Sequence, residues 1–300
     1  MLDIVKLDSI DAYNKLYGLR TLHPLVGVID LRQATKSVNH VKMFYGLYAL
    51  YLKGGVNCTL KYGRQKYDYQ EGTIVSFAPG QVVEVDMPED EFAPEVYGLL
   101  FHPDIIHGTS LARKMSKYSF FDYSQTESLH LSDTERSIIL DCLSKIRQEL
   151  EHPVDSHSRD LIVVNIEMIL EYCLRFYDRQ FCTRHKVNSD LLSVFEAELD
   201  NYFSSGKSMT EGLPTVAMFA DKACLSKSYF SDLIRKETGS SPQELIHNKI
   251  IILSKNMLLD GKSISEVAYA LGFQYSQHFS RLFKQKQGIT PKEFRETFIM

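Results

Sequence analysis

No two of the five cysteines are spaced as C-x-x-C, and their number is odd, so neither a disulfide framework nor a zinc knuckle is encoded. Cys58, Cys142, Cys173, Cys182 and Cys224 mostly fall in apolar runs and are expected to be reduced, packed thiols. Histidine pairing is missing as well. None of the ten histidines stands two, three or four residues from another, and the nearest pairs, His102/His107 and His152/His157, are five apart. Such spacing denies them a shared helix face, so no metal site is expected and the lone His23, His40 and His102 are expected to be structural. No stretch approaches the ~20 apolar residues of a membrane span. The opening MLDIVKLDSIDAYNKLYGLR carries acids where a secretory signal needs a basic end, so a cytoplasmic protein without membrane contact is expected. G-x-S-x-G, P-loop, G-x-G-x-x-G and H-E-x-x-H are all absent. An enzyme would lack a nucleophile or cofactor cradle, and neither catalysis nor a cofactor is expected.

What is present is a chain of 300 residues, 44% apolar and 24% charged, the composition of a soluble protein with room for two domains. Its formal charge of −4 is unevenly spread. Residues 1–209 hold 22 bases against 29 acids, whereas residues 210–300 hold 12 against 9. Any contact with a polyanion therefore belongs to the last third.

From about 20 to 125 the sequence is rich in β-branched and aromatic residues, broken at Gly54-Gly55, Gly63, Gly72 and Pro79-Gly80, which predicts a sandwich or small barrel. Glu84 to Glu95 contains six acids, two prolines and no base, the pattern of an exposed loop. Tyr45, Tyr48, Tyr51, Tyr62, Tyr67 and Tyr69 suit either a pocket for a sugar or aromatic molecule or ordinary core and surface strand positions. After residue 130 the period becomes helical. Ser132 and Glu135 form a capping box ahead of one helix, and a second is expected over 158–178, with an apolar stripe broad enough to need partners on both sides, among them a second subunit. Residues 181–189 are expected as a linker and 190–300 as a further domain.

That last domain repeats itself. From Phe230 and Phe279 onward two segments match at a constant offset of 49: Leu233 with Leu282, Arg235 with Lys284, Gly239 with Gly288, Pro242 with Pro291. Each copy reads as helix, tight corner, helix, glycine stop and capped helix, placing helix-turn-helix motifs at about 215–237 and 263–287. Ala220 and Ala268 are small enough to let two helices cross closely, and Gly272 can take a positive φ in the second corner. At about 100° per residue, Tyr229, Phe230, Leu233 and Ile234 share one side of the first reading helix, opposite Ser228, Ser231, Asp232 and Arg235. In the second, Tyr275, Phe279, Leu282 and Phe283 oppose Gln277, Ser280, Arg281 and Lys284. A polar face of this kind suits any surface helix, but Gln, Ser and Arg can also bond base edges in a major groove, and Lys or Arg can neutralise phosphate.

Residues 190–298 resemble the DNA-binding domain of the AraC/XylS family of bacterial transcription regulators, on LSKSYFSDLIRKETGSSPQEL and ISEVAYALGFQYSQHFSRLFKQKQGITPKEFR. The resemblance implies two recognition helices, near Ser226–Lys236 and Ser276–Lys286, entering successive major grooves on one DNA face. It places base reading on Ser228, Ser231 and Asp232, and on Ser276, Gln277, Ser280 and Arg281. The full set of expected DNA contacts adds Arg235, Gln274, His278 and Lys284. Two departures stand out: Asp232 is an acid where many members place a base or amide, and Tyr275 replaces a small capping residue. The first helix is therefore expected to read weakly.

The expected fold is α+β: a cupin-like sensing and dimerising domain over 1–180, similar to family members by architecture alone, then an all-α domain with two helix-turn-helix motifs. The expected function is an effector-responsive, homodimeric activator that binds double-stranded DNA and, as an activator, RNA polymerase. Two rivals remain at this point: a small-molecule-binding or enzymatic cupin domain with a DNA-localising tail, and an effector-free dimer controlled by a protein partner.

Overall fold

A computed structural model describes residues 4–36, 38, 41–54, 61–62, 65–66, 72–85, 95–183 and 185–298. The chain forms two compact units, Met1–Thr183 and Arg184–Met300. The first contains β1 (Ile4–Leu7), α1 (Ile10–Tyr17), β2 (Val26–Asp30), β3 (Val41–Tyr45), β4 (Tyr48–Lys53), β5 (Lys61–Tyr62), β6 (Gln65–Lys66), β7 (Thr73–Phe77), β8 (Val82–Val85) and β9 (Val96–Phe101). After these come α2 (Pro103–Ile106), α3 (Ser110–Lys114), β10 (Leu129–His130), α4 (Asp133–Glu151) and α5 (Ser158–Thr183).

Five strands form one antiparallel sheet in the order β10-β7-β4-β9-β2, and three form a second, β1-β3-β8, in which β1 runs parallel to β3. Side chains alternate across a strand, so Ala49 and Tyr51 of β4 join Met43, Tyr45, Val75, Phe77 and Leu100 in the core between the sheets. Leu50 and Leu52 are buried on the opposite face, the side on which α4 and α5 pack together and meet β2 and β10. Tyr45 and Tyr51 are thus core residues, their hydroxyls 3.2 Å apart. Burial raises the Tyr13, Tyr45 and Tyr51 hydroxyls well above the ordinary phenol range, which keeps them neutral.

The strand-rich segment ends earlier than its composition predicts. Between Phe101 and Leu129 the chain forms short helices because His102 and Thr109 cap them and Pro103 occupies a first helical position. His23 and His102 each accept a backbone N–H at Nδ1, from Leu25 and Asp104. Helix α1, entered through the Ser9 cap and closed by Gly18, is a further element that the strand-like composition around it hides. Most of the acidic run (86–94), Gly55, Gly63, Tyr67, Tyr69, Cys58, His40 and the Tyr62 side chain lie outside the described residues.

Helix α5 fastens this unit. The Gln180 amide accepts from the His130 N–H at 2.9 Å and donates to the Ser128 carbonyl at 3.2 Å, so a helix side chain satisfies the backbone of the edge strand β10. Arg179 grips both carboxylate oxygens of Glu135, the residue that closes the Ser132 capping box. Helix α5 also runs past its expected end. Residues 181–183 belong to α5 and α6 begins at His185, so the segment read as a linker is helical at every described position, its apolar spacing continuing through Phe181. Cys142 and Cys173 are buried, but Cys182 and Cys224 are exposed, a correction to the expectation of packed thiols.

The second unit is all-helical: α6 (His185–Ser204), α7 (Lys207–Glu211), α8 (Val216–Lys222), α9 (Lys227–Thr238), α10 (Pro242–Leu259), α11 (Ile264–Ala270), α12 (Ser276–Gln287) and α13 (Pro291–Phe298). Its core is aromatic. Phe195 of α6 packs edge-on against Phe219 and Phe230, and Phe279 against Phe283, which in turn meets Phe294. Among the described residues no helix is long and apolar enough to cross a membrane, and no cluster of His, Cys, Asp or Glu is arranged to hold a metal ion.

Replacing Gln180 with Ala strips partners from two buried backbone groups and is expected to cost about 2–4 kcal/mol in urea unfolding of the first unit. A loss below ~0.5 kcal/mol would show that β10 does not depend on this amide.

Candidate nucleic-acid interface

The two helix pairs are built on one backbone device. In the first, α8 ends with Leu225 N–H donating to Ala220 O at 2.9 Å and Cys224 N–H to Asp221 O at 3.0 Å. In the second, Phe273 N–H donates to Ala268 O at 2.9 Å and Gly272 N–H to Tyr269 O at 3.0 Å. This is the six-to-one and five-to-two closure of a helix end on a left-handed residue. That residue is Cys224, at φ 55°, in one copy and Gly272, at φ 92°, in the other. Ala220 and Ala268 are both buried, so the helices cross closely where the sequence places its small residues.

Gly272 meets a second demand that Cys224 escapes. A Cβ there would lie 2.6 Å from the Gly212 carbonyl carbon, because the turn after α7 lies against this corner. The buried Ser208 hydroxyl of α7 also donates to the Ala270 carbonyl at 2.7 Å. The short helix α7, which its few residues conceal in the sequence, thus braces the second corner.

Beyond each corner the reading helix begins differently. Ser226 caps α9 by accepting the Tyr229 N–H at 3.2 Å, whereas Tyr275 gives α12 no side-chain cap, is exposed and sets its ring edge-on against His278. Both helices stop at left-handed glycines, Gly239 and Gly288, whose N–H groups donate to Arg235 O and Lys284 O at 2.8 Å. The capped helices expected after these stops form through the boxes Ser241/Glu244 and Thr290/Glu293, and a third box, Ser263/Glu266, heads α11. Hydrogen bonds from the cap residues hold all three carboxyls below the usual carboxylate range, the backbone N–H leading for Glu244 and Glu293 and the hydroxyl for Glu266. These acids are charged at neutral pH but already engaged at helix starts.

Phe279 and Phe283 bury one side of α12, leaving Gln277, Arg281 and Lys284 exposed and Ser280 half-buried on the other. Ser276 lies at the rim of that ridge and Gln274 is exposed in the corner, with no counterpart in the shorter first copy. His278 does not join them. At about 100° per residue it lies roughly a third of a turn from the centre of the ridge, beside Tyr275. On α9, Tyr229, Phe230, Leu233 and Ile234 are buried and Ser228, Ser231, Asp232 and Arg235 form the outward face. The Ser231 hydroxyl donates to Lys227 O at 2.7 Å, and Arg235 pairs with Asp232 at 3.6 Å. Lys227, exposed at the first position of α9, was not among the expected contacts, although the offset of 49 equates it with Ser276.

Two helix-turn-helix pairs in one compact unit, joined by the long helix α10, define a double helix-turn-helix domain. Residues 219–297 match the family model described as a helix-turn-helix domain. The chain is 32% identical over 84 residues to the uncharacterized HTH-type transcriptional regulator YobQ of Bacillus subtilis, a match covering 28% of this chain and 35% of that protein. It is 31% identical over 78 residues to the HTH-type transcriptional activator RhaS of Citrobacter koseri, covering 26% and 28%. Among solved structures it is similar to the C-terminal domain of the two-component response regulator yesN from Fusobacterium nucleatum, with 28% identity, a TM-score of 0.30, and coverage of 33% of this chain and 96% of that one. The C-terminal unit thus carries a helix-turn-helix domain over residues 219–297. The chain spans about a third of the length of the curated relatives it matches.

The corners predict opposite responses to exchange of their left-handed residues. Gly272→Ala should lose at least ~2 kcal/mol in thermal or urea unfolding, from left-handed strain and the overlap with Gly212. Cys224→Gly should gain up to ~1 kcal/mol, since relief of strain outweighs the added chain entropy. Equal losses in both variants would refute this account of the corners.

Proposed function

We propose that the chain is a sequence-specific DNA-binding regulator of transcription that reads duplex DNA through α9 and α12. One observation carries this reading: two corners with matching backbone hydrogen bonds each hold a reading helix with its aromatic side buried and its polar ridge outward. On α12 that ridge holds Gln277, Ser280, Arg281 and Lys284 with no acid on the helix, a set able to bond base edges and neutralise phosphate. The matched relatives carry names of transcriptional regulators and activators, which supports activation as the output and RNA polymerase as a partner.

The remaining parts of the proposal concern the first unit. Leu161 and Val164, exposed on α5 at 49% and 56%, support a homodimer formed along that helix. An open cleft of about 370 Å³, lined among others by Arg32, Leu52, Glu95, Tyr97, Arg136 and Asp141, supports control by a small molecule. Its size suits a metabolite, and its charges of both signs suit a polar one. The cytoplasm, where DNA is reached directly, is the matching location. A dimer whose melting temperature no metabolite shifts would favour effector-free control by a protein partner.

Duplex affinity should fall linearly with salt on logarithmic axes, with a slope set by the phosphates contacted. Arg281→Ala should cost ~1–3 kcal/mol and relax base preference at one position. Fluorescence anisotropy across a salt series, with selection from a random duplex library, measures both. Binding without salt dependence or base preference would sink the regulator reading.

A further inference from the structure

The offset of 49 sets Ser228 against Gln277, Ser231 against Ser280 and Arg235 against Lys284, like with like. It also sets Asp232 against Arg281, a reversal of charge at one place on the reading ridge. Over its whole length α9 carries three bases and two acids, while α12 carries three bases and none. Asp232 is the better covered member of its pair: its side chain is 23% exposed and that of Arg235 60%, with 3.6 Å between them. The spacing of three residues keeps the two on one face of the helix.

We propose that Asp232 restrains the first reading helix: it neutralises Arg235 at the DNA-facing ridge, so that α12 carries most of the affinity and α9 adds mainly shape and selectivity. This rests on the DNA-binding reading above. An exposed ion pair adds little to stability, but the argument needs only the sign of its charge. A carboxylate on the groove-facing side opposes phosphate whether the pair is closed or open, and it competes with phosphate for the guanidinium. Other charged groups on or beside α9 do not substitute for it. Lys227 lies at the first turn and Lys236 at the flank of the ridge, and Glu244, whose carboxyl lies within the electrostatic reach of Arg235, is already held by the Ser241 hydroxyl and N–H. The consequence is a reader that binds weakly through one motif and therefore depends on the second. Such an arrangement suppresses retention on unrelated DNA, where phosphate neutralisation supplies almost all the affinity.

The test uses the full chain and anisotropy over a salt series, on the duplex selected by the wild type and on an unrelated duplex. Asp232→Ala should bind the unrelated duplex about three- to ten-fold more tightly. Its log–log salt slope should steepen by about one, the increment of one added phosphate contact. Asp232→Asn should follow it in part. In an Arg235→Ala background the gain from Asp232→Ala should fall by half or more, since no cation is released. Thermal melts check that each variant folds. Unchanged or weaker binding by Asp232→Ala, with the wild type still selecting a sequence, would overturn the proposal, and weaker binding with loss of one base preference would make Asp232 a direct reader instead. A wild type that selects no sequence would remove the DNA-binding reading itself, a result distinct from both.

Discussion

The second unit depends on a backbone hydrogen bond that spans five residues, from Leu225 to Ala220 and again from Phe273 to Ala268. It closes a helix on one left-handed residue and fixes the direction in which the next helix leaves. Given that direction, the aromatic sides of α9 and α12 fall on the core of this unit and their polar ridges lie on the opposite side. The rest of the interface follows. Buried alanines permit the crossing, glycines stop the reading helices, and capping boxes restart the chain. The corner hydrogen bonds are made by backbone groups alone, so the side chains on the ridges are free to vary while the geometry is kept.

Duplication relaxes the demands on each copy differently. The first corner tolerates a cysteine in the left-handed position because it is exposed, whereas the second admits only glycine because α7 and Gly212 press against it. The first reading helix has a serine cap and a self-neutralising ion pair. The second lacks a side-chain cap but carries three bases and no acid along its length. Local stability and charge are thus divided between the copies: the better-capped helix is the less cationic one.

Much of this unit was legible in the sequence because its signals are local. Cap residues, glycine stops, small residues at crossings and a constant offset all act within a few positions, and the structure places each of them as read, from Ser241/Glu244 to Gly288. The polar face of α12 follows from the same local periodicity, and the exposed His278 lies to one side of it with its ring beside that of Tyr275. In the first unit the strands between Val26 and Phe101 could be anticipated from β-branched and aromatic composition and glycine breaks, but their pairing could not. The parallel match of β1 with β3 and the five-strand order depend on contacts distant in sequence. The short helices between Phe101 and Leu129 were hidden by their aromatic composition, which reads as strand until the His102 and Thr109 caps are weighed.

The junction of the two units carries a physical lesson about composition. DRQFCTRHKVNSD reads as a linker because it is polar and lacks a clear stripe, yet every described residue in it is helical. It contains neither proline nor glycine, and polarity alone does not end a helix. Gln180 and Phe181 are both buried, one bonding β10 and the other filling the core, so the last turn of α5 is set by tertiary contacts. Polar composition separates units only where the backbone is also released. At every described position between 178 and 190 the backbone is helical, so polarity there marks no release of the chain.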